Sequence, residues 1–134
     1  MADTFAIEIV TPERLVVKDV AEEAQIPGKN GYMGILPGHA PLISELAVGE
    51  ISYRINDVTN RIAVAWGFAE VLPDKLTILA ETAERPEEID VARAEKAKVR
   101  AEKKLADGKS EEECREALGS LAKAQMRIGI AEKK

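Results

Sequence analysis

The chain is predicted to be an α+β protein, with an antiparallel β sandwich or flattened barrel first and an antiparallel two-helix hairpin after it. Three observations predict this. All five aromatic residues and all six prolines lie at or before Pro86. Upstream of that point, short alternating runs are broken by glycine and proline with no helical pattern between them. Downstream, two long helical patterns flank Asp107-Gly108-Lys109. The division puts a β body at residues 1–85 and a helical arm at residues 86–134.

The body elements follow in order. Phe5, Ile7 and Ile9 alternate with Ala6, Glu8 and Val10, the period-two pattern of a half-buried strand. Thr11-Pro12-Glu13 turns the chain into a second strand at Leu15-Val16-Val17. Ala24 and Ile26 mark a third, ended by the turn residues Pro27-Gly28-Lys29-Asn30-Gly31. Ile51, Tyr53 and Ile55 alternate again, and residues 56–60 read as a hairpin loop into a strand over 61–66. Pro73-Asp74 predicts a type I turn between strands at 69–72 and 76–79. Gly67, inside a strand pattern, predicts a bulge or a close backbone approach.

Residues 34–42 stand apart. Neither Pro37 nor Pro41 can donate to a central ladder, so residues 34–42, with Leu36, Pro37, Gly38, His39, Ala40, Pro41 and Leu42 as the candidate contact residues, form a constrained loop carrying the chain's only histidine. Two readings fit it. One is a packed loop at an end of the sandwich with His39 structural; the other is a docking edge, because apolar groups on a stiff loop mark a partner site.

In the arm, Pro86 suits the first helical position, with Glu87, Glu88 and Asp90 in an acid-tolerant first turn. Lys103 and Lys104 load the last turn, and Gly108 fits a left-handed cap. Ser110 and Glu113 form a capping box for the second helix. The apolar stripes are thin: Val91, Ala94, Ala101 and Leu105 on one helix, and Cys114, Ala117, Leu118, Leu121, Ala124 and Ile128 on the other. Alanine allows close approach but buries little area, and at about 25 cal/mol per Å² such a seam is weak. The hairpin is therefore either a permanently docked unit or one whose balance a ligand or partner tips.

Composition excludes several classes. With 4% aromatic residues the core must be aliphatic, and a net charge of −5 argues against a nucleic-acid binder. Residues 1–85 hold 7 Lys/Arg against 13 Asp/Glu, whereas residues 86–134 hold 12 against 11. On the second helix, acids come first and Lys123 and Arg127 later, which either complements the helix dipole or offers a basic surface to an acidic partner. Cys114 is the only cysteine, so no internal disulfide forms and a reducing compartment is expected. Charges interrupt the first fifteen residues, and the longest apolar run, 62–69, is too short to span a bilayer.

No catalytic constellation emerges. One histidine and one cysteine lie far apart, no metal-ligand spacing exists, and Gly28-Lys29-Asn30-Gly31 lacks the phosphate-loop pattern. The chain is not expected to be an enzyme, to hold a metal or to require a cofactor. What remains is an anion site on the arm: Arg93 and Arg100 can share a helix face, and Arg127 could join them across a closed hairpin. Ordinary surface ion pairs are the other reading of these arginines.

The succession of Gly34-Ile35-Leu36-Pro37-Gly38-His39-Ala40-Pro41-Leu42, Gly67-Phe68-Ala69-Glu70-Val71, Leu79-Ala80-Glu81-Thr82-Ala83-Glu84 and an alanine-rich helical hairpin resembles the epsilon subunits of bacterial and chloroplast F-type ATP synthases, called delta in mitochondria. The likeness covers essentially the whole chain. It implies a flattened sandwich of about ten strands followed by two helices. It implies a non-catalytic place on the central rotor, peripheral to the membrane at the cytoplasmic face of a bacterial cell rather than at a thylakoid, with no insertion into the bilayer. The body would grip the gamma subunit and rest on the c-ring, with the loop around His39 near the ring. The arm would permit turnover when compact and inhibit ATP hydrolysis when extended into the alpha/beta head, Lys123 and Arg127 then meeting acidic loops of the beta subunits.

Some bacterial members of that family bind ATP on the compact hairpin through an Ile/Leu-Asp-x-x-Arg-Ala motif, which Ile89, Asp90, Arg93 and Ala94 match in full. Glu84, Arg100 and Arg127 match further nucleotide-contacting positions by resemblance. Lys123 stands where those members carry arginine; it keeps the charge but loses the planar fork. A free-standing ATP-sensing module outside any rotor, and a generic sandwich adaptor with a helical tail, are the competing functional readings.

Overall fold

A computed structural model describes residues 3–132 and divides the chain into two compact units between Glu84 and Arg85. The first contains eight strands: β1 (Phe5–Val10), β2 (Leu15–Ala21), β3 (Glu23–Gly28), β4 (Gly31–Ile35), β5 (Leu42–Leu46), β6 (Gly49–Ile55), β7 (Val58–Leu72) and β8 (Lys75–Glu84). Hydrogen bonding runs in the order β2-β1-β8-β7-β5-β3-β4, and β6 closes the path by pairing with both β3 and β7. All neighbours are antiparallel except β1 and β8, which run parallel from Ala6↔Lys75 to Val10↔Leu79. The expectation of about ten strands is corrected to eight. Two of them are long enough to serve both layers, β7 spanning 15 residues and β8 spanning 10.

The alternation on β1 does what it predicts: Phe5, Ile7 and Ile9 are buried. With Ile26, Ile51, Ile62, Leu76 and Ile78 they form a core that is aliphatic apart from Phe5 and Tyr53, and every member of which belongs to the body. β7 holds the two layers together. Its first half pairs with β6 from Val58 to Val64, and its second half pairs with β5 from Gly67 to Val71. The change of partner falls where Trp66 and Gly67 have φ of 53° and 140°. A Cβ on Gly67 would fall on the Leu79 carbonyl oxygen and 2.8 Å from the Ala80 Cα, so of the two expectations it is the close approach that occurs there, and the register to β8 runs unshifted from Ala65↔Thr82 to Gly67↔Ala80.

Several boundaries differ from the sequence expectation. The predicted five-residue hairpin loop at 56–60 is a two-residue turn, Asn56-Asp57, with both φ positive (50° and 65°) as a twisted hairpin requires; Val58 already pairs with Ile55. Residues 61–66 and 69–72 are one strand instead of two. Pro27-Gly28 belongs to β3, Gly34-Ile35 to β4 and Leu42 to β5, so the constrained loop shrinks to residues 36–41.

The second unit opens with a short 3-10 turn, Pro86–Glu88, whose Glu88 carboxylate accepts from the Arg85 N–H at 2.9 Å. The first α-helix therefore starts later than Pro86. It is α1 (Val91–Asp107), N-capped by Asp90, because proline and the two glutamates are consumed by the preceding turn. Gly108 follows it with φ 1° and ψ 84°, outside the left-handed region expected of it. α2 (Glu111–Glu132) starts with the Glu113 N–H donating to Ser110 Oγ at 3.0 Å. The helices pack on each other through Ala94, Ala101, Ala117 and Ala124, all buried. Val91 and Leu118, expected in the seam, are instead 42% and 55% exposed. Ile130, towards the end of α2, is the one larger side chain buried on either helix among the described residues.

Candidate functional site

On the arm, the residues of the Ile-Asp-x-x-Arg-Ala segment build the junction into α1. Ile89 is buried at the end of the 3-10 turn, and its N–H reaches the Pro86 carbonyl at 3.3 Å. Asp90 Oδ1 accepts the Arg93 N–H at 3.1 Å, and the Asp90 carbonyl accepts the Ala94 N–H at 3.0 Å. Asp90 is thus an N-cap, and Ala94 is fully buried beneath it.

Arg93 and Arg100 are both exposed, and neither guanidinium has an ion-pair partner among the described residues. They lie seven residues apart, about 10 Å along the helix axis. In an antiparallel hairpin, counting outward from residues 108–110 sets Arg127 level with the start of α1 and Lys123 about one turn nearer the loop. Both are half-buried and engaged in the compact hairpin. Arg100 lies nearer the loop, where it lines an interhelical groove of about 490 Å³ with Lys104, Lys109, Glu113 and Glu116. The arginines thus spread along the hairpin: Arg127 is level with the motif, and Arg100 is not. Glu84 ends β8 in the first unit and is half-buried and engaged.

On the body, residues 36–41 are built by a type II turn. Pro37 and Gly38 take its central positions, Gly38 has φ 83°, and the His39 N–H donates to the Leu36 carbonyl at 3.1 Å. The His39 Nδ1 lies 2.7 Å from the Ala40 carbonyl oxygen, which ties the ring to its own loop. The Gly38 N–H donates to the Pro73 carbonyl at 2.7 Å, joining this loop to the β7–β8 turn. Leu36, Ala40, Pro41, Leu42, Leu72 and Pro73 are exposed, so one end of the body is apolar and braced by two turns.

A second body surface escaped the sequence reading. Phe68, Glu70 and Leu72 point outward from β7, opposite buried Ala69 and Val71. The pairings Leu15↔Val10, Val10↔Leu79 and Leu79↔Phe68 align one residue from each of four adjacent strands into a row. Leu15, Leu79 and Phe68 are 52%, 57% and 56% exposed, and Val10 is half-buried. Each looks like a core residue in its own strand. The signal that could have found them is the alternation, which assigns Phe68 and Leu79 to the face opposite Ala69 and Ile78, but only the register reveals a continuous patch.

Comparison with known proteins accounts for both units. Residues 4–86 match the family model described as ATP synthase, Delta/Epsilon chain, beta-sandwich domain. Residues 87–132 match the model described as ATP synthase, Delta/Epsilon chain, long alpha-helix domain. The ATP synthase epsilon chain of Koribacter versatilis is 75% identical over 105 residues, 78% of this chain and 74% of that one. That of Syntrophobacter fumaroxidans is 45% identical over 99% of both chains, and that of Solibacter usitatus 40% over the full length of both. A chain in the cryo-EM structure of Euglena gracilis mitochondrial ATP synthase, OSCP/F1/c-ring in rotational state 1, superposes with a TM-score of 0.73. It covers 98% of this chain and 79% of its own length at 20% identity, a likeness of fold. With both units matched and full-length relatives at 40% and 45% identity, the chain belongs to the delta/epsilon family of ATP synthase subunits.

Proposed function

We propose that this non-catalytic stalk subunit of an F-type ATP synthase uses its body to grip the gamma subunit and rest on the c-ring, and its arm to restrain ATP hydrolysis. The observation that carries the reading is the four-strand apolar row Leu15–Val10–Leu79–Phe68, a surface that a partner must cover to keep it from water. That row fits gamma. The braced end at residues 36–42 fits the ring, at the cytoplasmic face of a bacterial membrane. No described helix is long and apolar enough to cross the membrane, which suits a peripheral attachment. The arm suits a brake because most of the residues it buries along α1 and α2 are alanines, which leave little area to separate on opening, and opening would release Lys123 and Arg127 from their half-buried positions for acidic loops of the alpha/beta head.

Deleting residues 86–134 tests the brake. The truncated chain should still co-purify with gamma, and the assembled complex should hydrolyse ATP faster than wild type. Equal hydrolysis by both complexes would reduce the arm to a passive tail.

The compact arm is further proposed to bind ATP as a regulatory ligand through Asp90, Arg93, Arg100 and Arg127, with Ile89, Ala94 and Lys123 contributing. The exposed, unpaired guanidiniums of Arg93 and Arg100 support this, since arginine grips phosphate through forked hydrogen bonds. Millimolar ATP should slow amide exchange across the start of α1 in wild type, and not in Arg93→Ala. Exchange indifferent to ATP in the wild-type protein would sink this reading and leave the brake untouched.

A further inference from the structure

We propose that Glu70 is the charged anchor of the body's docking face, receiving a lysine or arginine of the gamma subunit. The proposal rests on the reading of that face as the gamma grip. Glu70 lies on β7 between Phe68 and Leu72, and the strand register sets it opposite Ile43 on β5 and Thr77 on β8. Its carboxylate has no hydrogen bond or ion pair among the described residues. A cation on the same face, Lys75, is already engaged: its Nζ lies 3.2 Å from Glu8 Oε2.

Left in water, a lone carboxylate costs nothing. Covered by an apolar partner it would lose its hydration with no internal charge to replace it, and an unpaired buried carboxylate is strongly unfavourable. A partner that buries Phe68 and Leu79 must therefore also bring a cation to Glu70. The apolar row supplies contact area without fixing orientation. Glu70 adds a fixed point of charge beside that row, which a basic side chain of the partner can meet and which favours one register over its neighbours. The body's balance of 7 basic against 13 acidic residues favours a cationic approach in the same sense.

The test is binding of full-length chain to purified gamma at low and high salt, comparing wild type with Glu70→Gln, Glu70→Asp and Phe68→Asp. Both positions lie on the exposed face, and matched unfolding midpoints would verify that the three variants fold. Glu70→Gln is expected to weaken binding by at least about tenfold and to flatten its salt dependence, with partial recovery in Glu70→Asp. Glu70→Gln binding within about twofold of wild type while Phe68→Asp abolishes binding would overturn the anchor and leave the docking face intact. Unaltered binding by Phe68→Asp would remove the docking-face reading, and the anchor with it.

Discussion

Trp66 and Gly67 occupy backbone space that most side chains avoid, φ 53° and 140°. The tryptophan is tolerated because its neighbours enforce the kink: the Trp66 N–H donates to the Ala47 carbonyl at 3.3 Å, and Gly67 lies against the Leu79–Ala80 backbone. Gly67→Ala should destabilise the body by about 3 kcal/mol or more, because the new methyl meets backbone atoms that cannot rotate away; urea unfolding would measure it. Gly38→Ala, also at positive φ but with open space around its Cβ position, should cost only about 1 kcal/mol. Gly67 was legible in the sequence as a glycine inside a strand pattern. The strain on Trp66 was not, since nothing in a tryptophan signals a left-handed conformation.

Among the elements, legibility followed how local the determining interaction is. β1 and β6 were readable because alternation reports one buried face, and the start of α2 because Ser110 and Glu113 announce a cap. The start of α1 was misplaced because Pro86, Glu87 and Glu88 suit a 3-10 turn as well as an α-helix. The choice fell to Asp90, whose carboxylate captures the Arg93 N–H. The parallel pairing of β1 with β8 joins distant segments, and no local pattern encodes it. The Ile-Asp-x-x-Arg-Ala segment and the loop at 36–41 are visible as residue strings, whereas the apolar row exists only in the register of four strands.

The alanine seam makes its own prediction. Ala124→Leu inserts three carbons at a buried position of α2 and should destabilise the closed hairpin by about 1–3 kcal/mol. Amide exchange should accelerate through α1 and α2 and stay unchanged in the strands.

At the scale of the molecule, the core is confined to the body. A fragment of residues 1–85 should therefore fold cooperatively, with an unfolding midpoint within a few degrees of that of the body in the full chain, by calorimetry. A fragment that unfolds gradually would mean that the arm is part of what holds the sandwich.

The continuity of β7 has a mechanical side. Phe68, on the outer face, and Leu72, at the braced end, are separated by four residues of one strand, about 13 Å of extended backbone. A force applied at that end would reach the outer face through taut peptide units flanked by ladders to β5 and β8, with no loop in series to yield. A body built this way is a stiff coupling, which turns with whatever it is clamped between and stores little of the motion itself.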